Sequence, residues 1–337
     1  MIKEAIATLT KNRSLTREEA SQVMDEIMEG QTTPSQLASL LTALSIKGEN
    51  PDEIAGMATV MRAKALPVKL DFPLLDVVGT GGDGLNTFNI STTTALVVAA
   101  CGVKVAKHGN RAASGKCGSA DVLEKLGVKI SLTPGQVETC IREVGIGFMF
   151  AAAFHPAMKH AAGTRREIGI RTIFNILGPL TNPASAEYML LGVPSLELVE
   201  KLVPALIQMP FKHVLVVCGK NGMDEITTSD SSLIWEIRNA RLIGTTRIHP
   251  EEFNLTRCQP QELTGGSADE NASIIKGILA GGQGAAADVV ALNAGAALYT
   301  ADRVKTMQEG VKLAQGVLAA GQALTKLNEL IQITNRF

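Results

Sequence analysis

A loop with four glycines joins a short apolar segment to a longer one in residues 76–103, DVVGTGGDGLNTFNISTTTALVVAACGV. The pattern predicts a buried strand before the loop and a helix that begins near Ser91. Glycines 79, 81, 82 and 84 allow backbone N–H groups to converge on one point, and the free N–H groups of a helix start add positive charge there. The segment therefore predicts a strand–loop–helix unit that binds an anion such as phosphate.

The same loop satisfies a second pattern, the Gly79-x-Gly81-x-x-Gly84 spacing of dinucleotide-binding enzymes. About 20 residues further on, where an NAD enzyme has an acidic residue, the chain has Lys104, Lys107 and Arg111. Those cations argue against NAD, although a cofactor with a 2′-phosphate would accept them. A dinucleotide enzyme is therefore the alternative on this segment alone.

A second cluster of polar residues, 105–127, follows the next apolar segment. Its cations are Lys107, His108, Arg111 and Lys116, and small residues stand between them. A solvated basic loop is the usual fate of such a cluster, but its position after a strand and its glycines favour a second phosphate site, suited to a pyrophosphate leaving group. It is not a Walker loop, because Gly115-Lys116 is followed by a cysteine.

An acidic pair, Asp224-Glu225, comes shortly after the apolar segment Val214 to Cys218. Alone, such a pair is most often a solvated turn. Ligands bind at the carboxyl ends of strands in open α/β sheets, and carboxylate oxygens suit Mg²⁺ shared with substrate phosphates. With two phosphate sites elsewhere, a magnesium site becomes the favoured interpretation.

Residues 148–183 carry three arginines (165, 166 and 171) and two histidines (155 and 160) in a stretch that otherwise reads as apolar and helical. This composition predicts a pocket for an aromatic or apolar acid. The histidines are five positions apart, off a common helical face, so a metal pair is not expected. Covalent catalysis is also disfavoured, because no serine has the G-x-S-x-G context and no cysteine has an evident partner.

Two domains are expected in the 337 residues. Thr16-x-x-Glu19, Thr33-Pro34 and Asn50-Pro51 each mark a helix start, so residues 1–68 are expected to form a helical domain, joined by a helical segment near 155–185. Residues 69–337 alternate strands and helices, which predicts an α/β domain with a mainly parallel sheet covered on both faces. The strand predictions are Leu74–Val78, Val103–Ala106, Val128–Ile130 and Val214–Cys218, with an edge hairpin around Asn239-Ala240 and Ala-rich helices at the end of the chain.

The composition of the chain limits which partners and which cellular location are expected. A net charge of −1 and 4% aromatic residues make nucleic acid an unexpected partner. The longest apolar stretch, Ala95 to Val103, is far shorter than the roughly 20 residues of a membrane span. Five separated cysteines without a CxxC pair, and an N-terminus without the features of a secretory signal, predict a reduced, cytoplasmic location.

Four segments together resemble the anthranilate phosphoribosyltransferases: GTGGDGLNTFNIST, KHGNRAAS with GSADVLEKLG, GTRREIGIRTIFNILGPLTNP, and GMDE, in this order and over nearly the whole chain. KHGNR with GSADVLE is also similar to pyrimidine nucleoside phosphorylases, which are longer and lack the third segment. One departure is Ser114-Gly115, where the family commonly has two serines.

The resemblance implies a small helical domain beside an α/β domain, a homodimer formed through the helical domain, and Mg²⁺-dependent transfer of phosphoribose from 5-phosphoribosyl 1-pyrophosphate to anthranilate. It implies metal ligands Ser91, Asp224 and Glu225, and anthranilate contacts from Gly79, Asn110 and Arg165. The aryl amine needs no strong general base, and His108 is the weak candidate for one. The donor contacts implied are Gly79, Gly82, Asp83, Thr87, Asn89, Ile90, Ser91, Thr92, Lys107, His108, Gly109, Asn110, Arg111, Ala112, Ala113, Ser114, Gly115 and Ser119.

Overall fold

A computed structural model describes residues 1–112 and 116–337 of the chain. Its helices are α1 (Ile2–Leu9), α2 (Arg17–Met28), α3 (Pro34–Lys47), α4 (Pro51–Lys64), α5 (Ile90–Ala100), α6 (Ser119–Lys125), α7 (Pro134–Glu143), α8 (Ala151–Phe154), α9 (Lys159–Ile168), α10 (Phe174–Leu177), α11 (Leu196–Ile207), α12 (Ala268–Leu279), α13 (Ala285–Thr300), α14 (Met307–Ala319) and α15 (Gln322–Thr334).

The strands form one sheet in the order β3-β2-β1-β4-β5-β6-β7. The pairs from β3 to β5 are parallel, and β6 and β7 add an antiparallel hairpin at the edge. This is the expected mainly parallel α/β architecture. The strands are β1 (Leu75–Gly79), β2 (Val105–Gly109), β3 (Ile146–Phe150), β4 (Tyr188–Gly192), β5 (His213–Gly219), β6 (Ser232–Arg238) and β7 (Arg241–Ile248).

The N-terminal helices begin where the capping patterns predict. The side chains of Thr16, Thr33 and Asn50 each accept a hydrogen bond from the backbone N–H three residues later, which completes a capping box. Inside this helical unit the Glu53 carboxylate is fully buried and pairs with Lys47 at 3.0 Å. Helices α9 and α10 pack against α2, α3 and α4.

Both faces of the sheet are covered by apolar side chains. Along β4 and β5, alternate residues such as Leu190 and Leu215 face the core that contains α5 and α13, whereas Leu191 and Val216 face the core shared with α4 and α11. This alternation follows from the period of two along a strand. It explains why the strands read as continuous apolar runs.

Two sequence expectations about local structure were wrong. Residues 128–130 are not a strand: they form an extended connection between α6 and α7, in which Val128 and Ile130 are buried and the Lys129 backbone N–H donates to the side chain of Thr334 at 3.2 Å. Residues 148–150 belong to β3 rather than to a helical stretch. In both cases a few apolar residues were too short a signal to distinguish strand, helix and buried loop.

The hairpin prediction was confirmed. Asn239 and Ala240 form its two-residue turn, and both have positive φ, 47° and 59°. Such a turn matches the twist of the flanking strands. None of the described helices is long and apolar enough to cross a bilayer.

Candidate active site

A cleft of about 410 Å³ lies at the carboxyl ends of β1 and β2, beside the segment that follows β5. It brings together the two phosphate-site segments and the acidic pair found in the sequence. The predicted residues that line it are Gly79, Gly82, Asp83, Thr87, Asn89, Ile90, Ser91, Thr92, Lys107, His108, Gly109, Asn110, Arg111, Ala112, Ser119, Asp224 and Glu225. Ala113, Ser114 and Gly115 lie outside the described residues.

The acidic loop rests directly on the ends of two strands. Gly79 of β1 and Gly192 of β4 are partners in the sheet register. A Cβ atom at position 79 would collide with the Asp224 carboxylate, and one at position 192 with the Asp224 backbone carbonyl. The Gly81 backbone N–H donates to Asp224 Oδ2 at 2.7 Å. The absence of side chains at these two glycines is therefore what allows the acidic loop to reach the glycine-rich loop.

Negative charge in the cleft is concentrated on buried carboxylates. Burial, followed by repulsion from Asp83, raises the pKa of Asp224 to about 7. Burial and repulsion from Asp224 raise the pKa of Glu225 well above its usual range. Asp83 Oδ2 is buried without a hydrogen-bond partner among the described residues. These are hard oxygen donors, and the attraction of the Lys107 ammonium for Glu225 does not offset the burial and mutual repulsion that raise the pKa of that carboxyl.

The donor set fits Mg²⁺. In the described part of the chain, no three acidic, histidine or cysteine side chains form a closed metal cage. Mg²⁺ does not require one, because it usually binds through one or two carboxylates together with water and substrate phosphates. Asp83 Oδ2, which is buried beside Asp224 and has no hydrogen-bond partner in the described part of the chain, is the observation that favours a cation at this place.

The second strand supplies a buried cation. The Lys107 ammonium donates to the Val77 carbonyl at 2.7 Å. Burial lowers its pKa, while the carboxylates of Asp76 and Glu225 act in the opposite direction. Asp76 is itself buried, which raises its pKa to about 6. The cleft floor is thus a buried network of opposite charges under the glycine-rich loop.

His108 is a poor proton acceptor in this setting. Burial, with repulsion from His155, lowers its pKa to about 3, and the two imidazole rings lie 5.1 Å apart between centroids. Its imidazole is therefore neutral near pH 7, and a group with so low a pKa is a weak base.

Two of the arginines noted in the sequence line the cleft, Arg111 and Arg171, whereas Arg165 does not. Arg111 pairs with Asp121 at 2.9 Å and Glu124 at 2.6 Å. The guanidinium of Arg165 lies 5.0 Å from the ring centroid of Phe174, and Arg165 is outside the cleft lining. Arg171 does line the cleft, and a side chain at Gly82 would collide with its guanidinium.

Sequence reasoning missed several residues that line the cleft. Arg171 lay in a noted basic segment without a separate role, and Asn175 follows it by four positions. Asn271 lies in α12, nearly 200 positions from the glycine-rich loop, and no motif marks it. The cleft residues to which sequence reasoning assigned no role in the site include Arg171, Asn175, Gly266, Asn271 and Cys117. Lys116, already noted as a cation of the second phosphate segment, also lines the cleft.

Comparison with known proteins defines the class first. Residues 3–65 match the helical bundle domain of a glycosyl transferase family, and residues 71–324 match the α/β domain of that family. The class is therefore a glycosyl transferase with a helical bundle domain and an α/β domain.

Relatives narrow the class. The chain is 56% identical over 335 residues to an anthranilate phosphoribosyltransferase of Dehalococcoides mccartyi, covering 99% of this chain and 98% of that protein. It is 45% identical to the crystal structure of the enzyme from Thermus thermophilus, with a TM-score of 0.93 over 98% of this chain and 99% of that one. The Saccharomyces cerevisiae enzyme in complex with PRPP and Mg is 26% identical, with a TM-score of 0.92 over 100% of this chain and 98% of that one. The chain belongs to the anthranilate phosphoribosyltransferase family. The expected transferase function, rather than that of a dinucleotide enzyme, is confirmed.

Proposed function

We propose that this protein transfers the phosphoribosyl group of 5-phosphoribosyl 1-pyrophosphate to the amine of anthranilate, giving N-(5-phosphoribosyl)anthranilate and pyrophosphate, the second step from chorismate to tryptophan. The observation that carries the proposal is the contact between Gly81 and Asp224, which joins an anion-binding loop to an acidic pair in one cleft. The full-length identity with enzymes of this name supports the same reaction.

Donor binding is assigned to the glycine-rich loop, the start of α5 and the loop after β2. Backbone N–H groups at the start of a helix attract phosphate oxygens. The donor residues proposed from the sequence, from Gly79 to Ser119, make up half of the residues that line the cleft. The 113–115 segment is assigned to the donor on the sequence resemblance alone.

Magnesium is proposed as the cofactor, held by Ser91, Asp224 and Glu225, with Asp83 beside them. When bound, the ion would neutralise charge on the departing pyrophosphate. The raised pKa of both Asp224 and Glu225 supports the assignment, because a cation at that position would stabilise their ionised forms.

The chemical step needs alignment more than proton transfer. The amine of an anthranilate is largely unprotonated near neutral pH, so the protein has to hold it in line with C1 of the ribose while the pyrophosphate leaves. Asn110 and the Gly79 backbone line the cleft where this acceptor would lie, and Arg165 is proposed to bind its carboxylate. His108, neutral and weakly basic, is not required as a base.

The function is tested by mixing protein, Mg²⁺, donor and anthranilate and following the loss of anthranilate fluorescence. Turnover that depends on all three additions is the expected result. Thymidine with phosphate in place of anthranilate tests the phosphorylase alternative, and NADPH titration tests the dinucleotide one. A positive result in the phosphorylase or the dinucleotide assay would overturn the proposal. No turnover with any of the substrates would also overturn it and would favour a binding or scaffold role.

We also infer a domain division at residues 1–68 and 69–337, a homodimer formed through the helical domain, and a cytoplasmic location. The free state of the five cysteines supports a reducing environment. Light scattering after size-exclusion chromatography tests the dimer, and a mass of one 35.5 kDa chain would contradict it.

A further inference from the structure

Asn89 stands directly before α5 but does not cap it. An asparagine at this position usually accepts a hydrogen bond from a backbone N–H of the first helical turn. The Asn89 side chain makes no such bond within the described structure. Its amide Nδ2 donates instead to the Cys117 carbonyl at 3.1 Å. The side chain is thus turned away from the helix that the donor is proposed to meet.

Asn271 forms a hydrogen bond with the oxygen of the Asn89 amide. Asn271 Nδ2 donates to Asn89 Oδ1 at 2.9 Å, and Asn271 Oδ1 accepts from the Gly266 backbone N–H at 2.7 Å. Only 1% of Asn271 is exposed, although it borders the cleft. Its position is fixed by α12 and by the preceding loop, where Gly265 donates to the Asn86 carbonyl at 2.8 Å.

We propose that Asn271 is a positioning residue for donor binding: it fixes the Asn89 amide in its non-capping orientation and so leaves the start of α5 open to the anionic donor. The Cys117 thiol also donates to Asn89 Oδ1, at 3.4 Å, but a thiol is a weak donor. Without the stronger bond from Asn271, the Asn89 amide can rotate so that Oδ1 accepts from the backbone N–H groups of the first turn, as asparagine does at other helix starts. A self-capped α5 would compete with the phosphate for the same donors.

The proposal rests on the proposed function, and its test separates the two. Asn271→Leu is close to isosteric and neutral, whereas aspartate would add a negative charge to a cleft meant for an anion. A neutral hydrogen bond contributes about 0.5–1.5 kcal/mol, so the variant should raise the donor KM, and the donor Kd measured by calorimetry with Mg²⁺, about 2- to 12-fold. The anthranilate KM and kcat should change less than about twofold.

Two further variants distinguish positioning from loss of structure. Asn271→Gln keeps an amide and should raise the donor KM less than leucine does. Thr334→Val replaces a buried hydroxyl, which accepts from the Lys129 backbone N–H outside the cleft, by a methyl group. It should lower Tm without changing the donor KM. If Asn271→Leu does not fold, the donor Kd of the glutamine variant is the test instead: its longer side chain displaces the amide from Asn89, so a smaller rise in Kd is expected, and an unchanged Kd would overturn the inference.

A double-mutant cycle with Asn89→Ala provides the decisive readout. If Asn271 acts through Asn89, the effects of the two substitutions on donor Kd are not additive. An unchanged donor Kd in Asn271→Leu, or additive effects in the cycle, would overturn the inference. If the wild-type protein binds the donor but does not transfer phosphoribose to anthranilate, the proposed reaction is overturned and the positioning role of Asn271 is unaffected.

Discussion

The Gly81 backbone N–H and the Asp224 carboxylate are hydrogen-bonded at 2.7 Å across 143 positions of sequence. This bond joins the loop after β1 to the loop after β5. It depends on Gly79, where a side chain would occupy the volume of the Asp224 carboxylate. The two halves of the cleft are therefore coupled through positions that have no side chain.

Gly79→Ala should displace Asp224 and lower kcat/KM for the donor at least tenfold, which corresponds to about 1.4 kcal/mol. Steady-state kinetics with varied donor and magnesium would measure the effect. Gly163→Ala in α9 is the matched control, because the space around that glycine is open, and it should keep wild-type kinetics. Equal kinetics for both variants would show that Asp224 accommodates the methyl group.

The combined substitution Asp224→Asn and Glu225→Gln should abolish magnesium-dependent turnover. Charge stabilisation by a metal contributes several kcal/mol to such reactions, so a loss of at least about 100-fold is expected. The fold should survive, since the variant replaces buried carboxylates of raised pKa by neutral amides of the same shape. A full magnesium titration and a melting curve on each preparation provide the two measurements.

Asp230→Asn is the control for that experiment. Asp230 follows on the same segment and accepts from the Ser231 backbone N–H at 2.6 Å, but it does not line the cleft. Its variant should retain the magnesium dependence. Wild-type activity of the double variant over the whole titration would refute the metal assignment.

The stability of the protein at acid pH should depend on His155. Burial lowers its pKa to about 4, compared with 6.5 for an unperturbed histidine. Between these pH values the unfolded chain binds a proton that the folded chain does not. The free energy of unfolding therefore falls as pH decreases from about 6.5 towards 4, at up to about 1.4 kcal/mol per pH unit from this group.

His155→Gln should remove that contribution and flatten the pH dependence over the same range. Urea unfolding at several pH values measures it. His160→Gln, on the exposed surface of α9, should give a curve parallel to wild type. If His155→Gln also runs parallel to wild type, His155 takes up its proton without unfolding.

Local signals predicted the framework of this fold well. Thr16, Thr33 and Asn50 mark the starts of helices because a capping box involves residues only three positions apart. The turn at Asn239-Ala240 likewise depends on adjacent residues. The strand prediction for residues 128–130 was wrong because the burial of this segment depends on α15, more than 200 positions away in the sequence.

Within the candidate site, too, contiguous motifs could be recognised from the sequence, whereas residues brought together only by the fold could not. Glycine loops and acidic pairs are contiguous in sequence, so their chemistry could be recognised before their contact was known. Asn271 could not be found this way, because its role exists only through its hydrogen bond to Asn89, 182 positions away. Arg171 was noted for its charge, but only the fold turns it towards Gly82.

Arg165 offers the sharpest separation of the two substrates. A carboxylate beside an aryl ring is best bound by a planar guanidinium that donates two parallel hydrogen bonds. A charge-assisted hydrogen bond contributes about 1.5–3 kcal/mol, so Arg165→Ala should lower kcat/KM for anthranilate roughly 10- to 150-fold and change donor affinity much less. Lysine should not fully restore it.

The competing interpretation is that Arg165 only stabilises the fold, and its packing on Phe174 supports this interpretation. The guanidinium lies 5.0 Å from the ring centroid, burial lowers its pKa, and the residue is outside the cleft lining. A purely structural Arg165 predicts a lower Tm for the alanine variant with an unchanged ratio of the two KM values. Arg166→Ala, the exposed neighbour on α9, controls for loss of positive charge. Kinetics with each substrate varied in turn, and a melting curve of the same preparation, decide between the two: a selective loss for anthranilate supports recognition, whereas equal losses for both substrates exclude it.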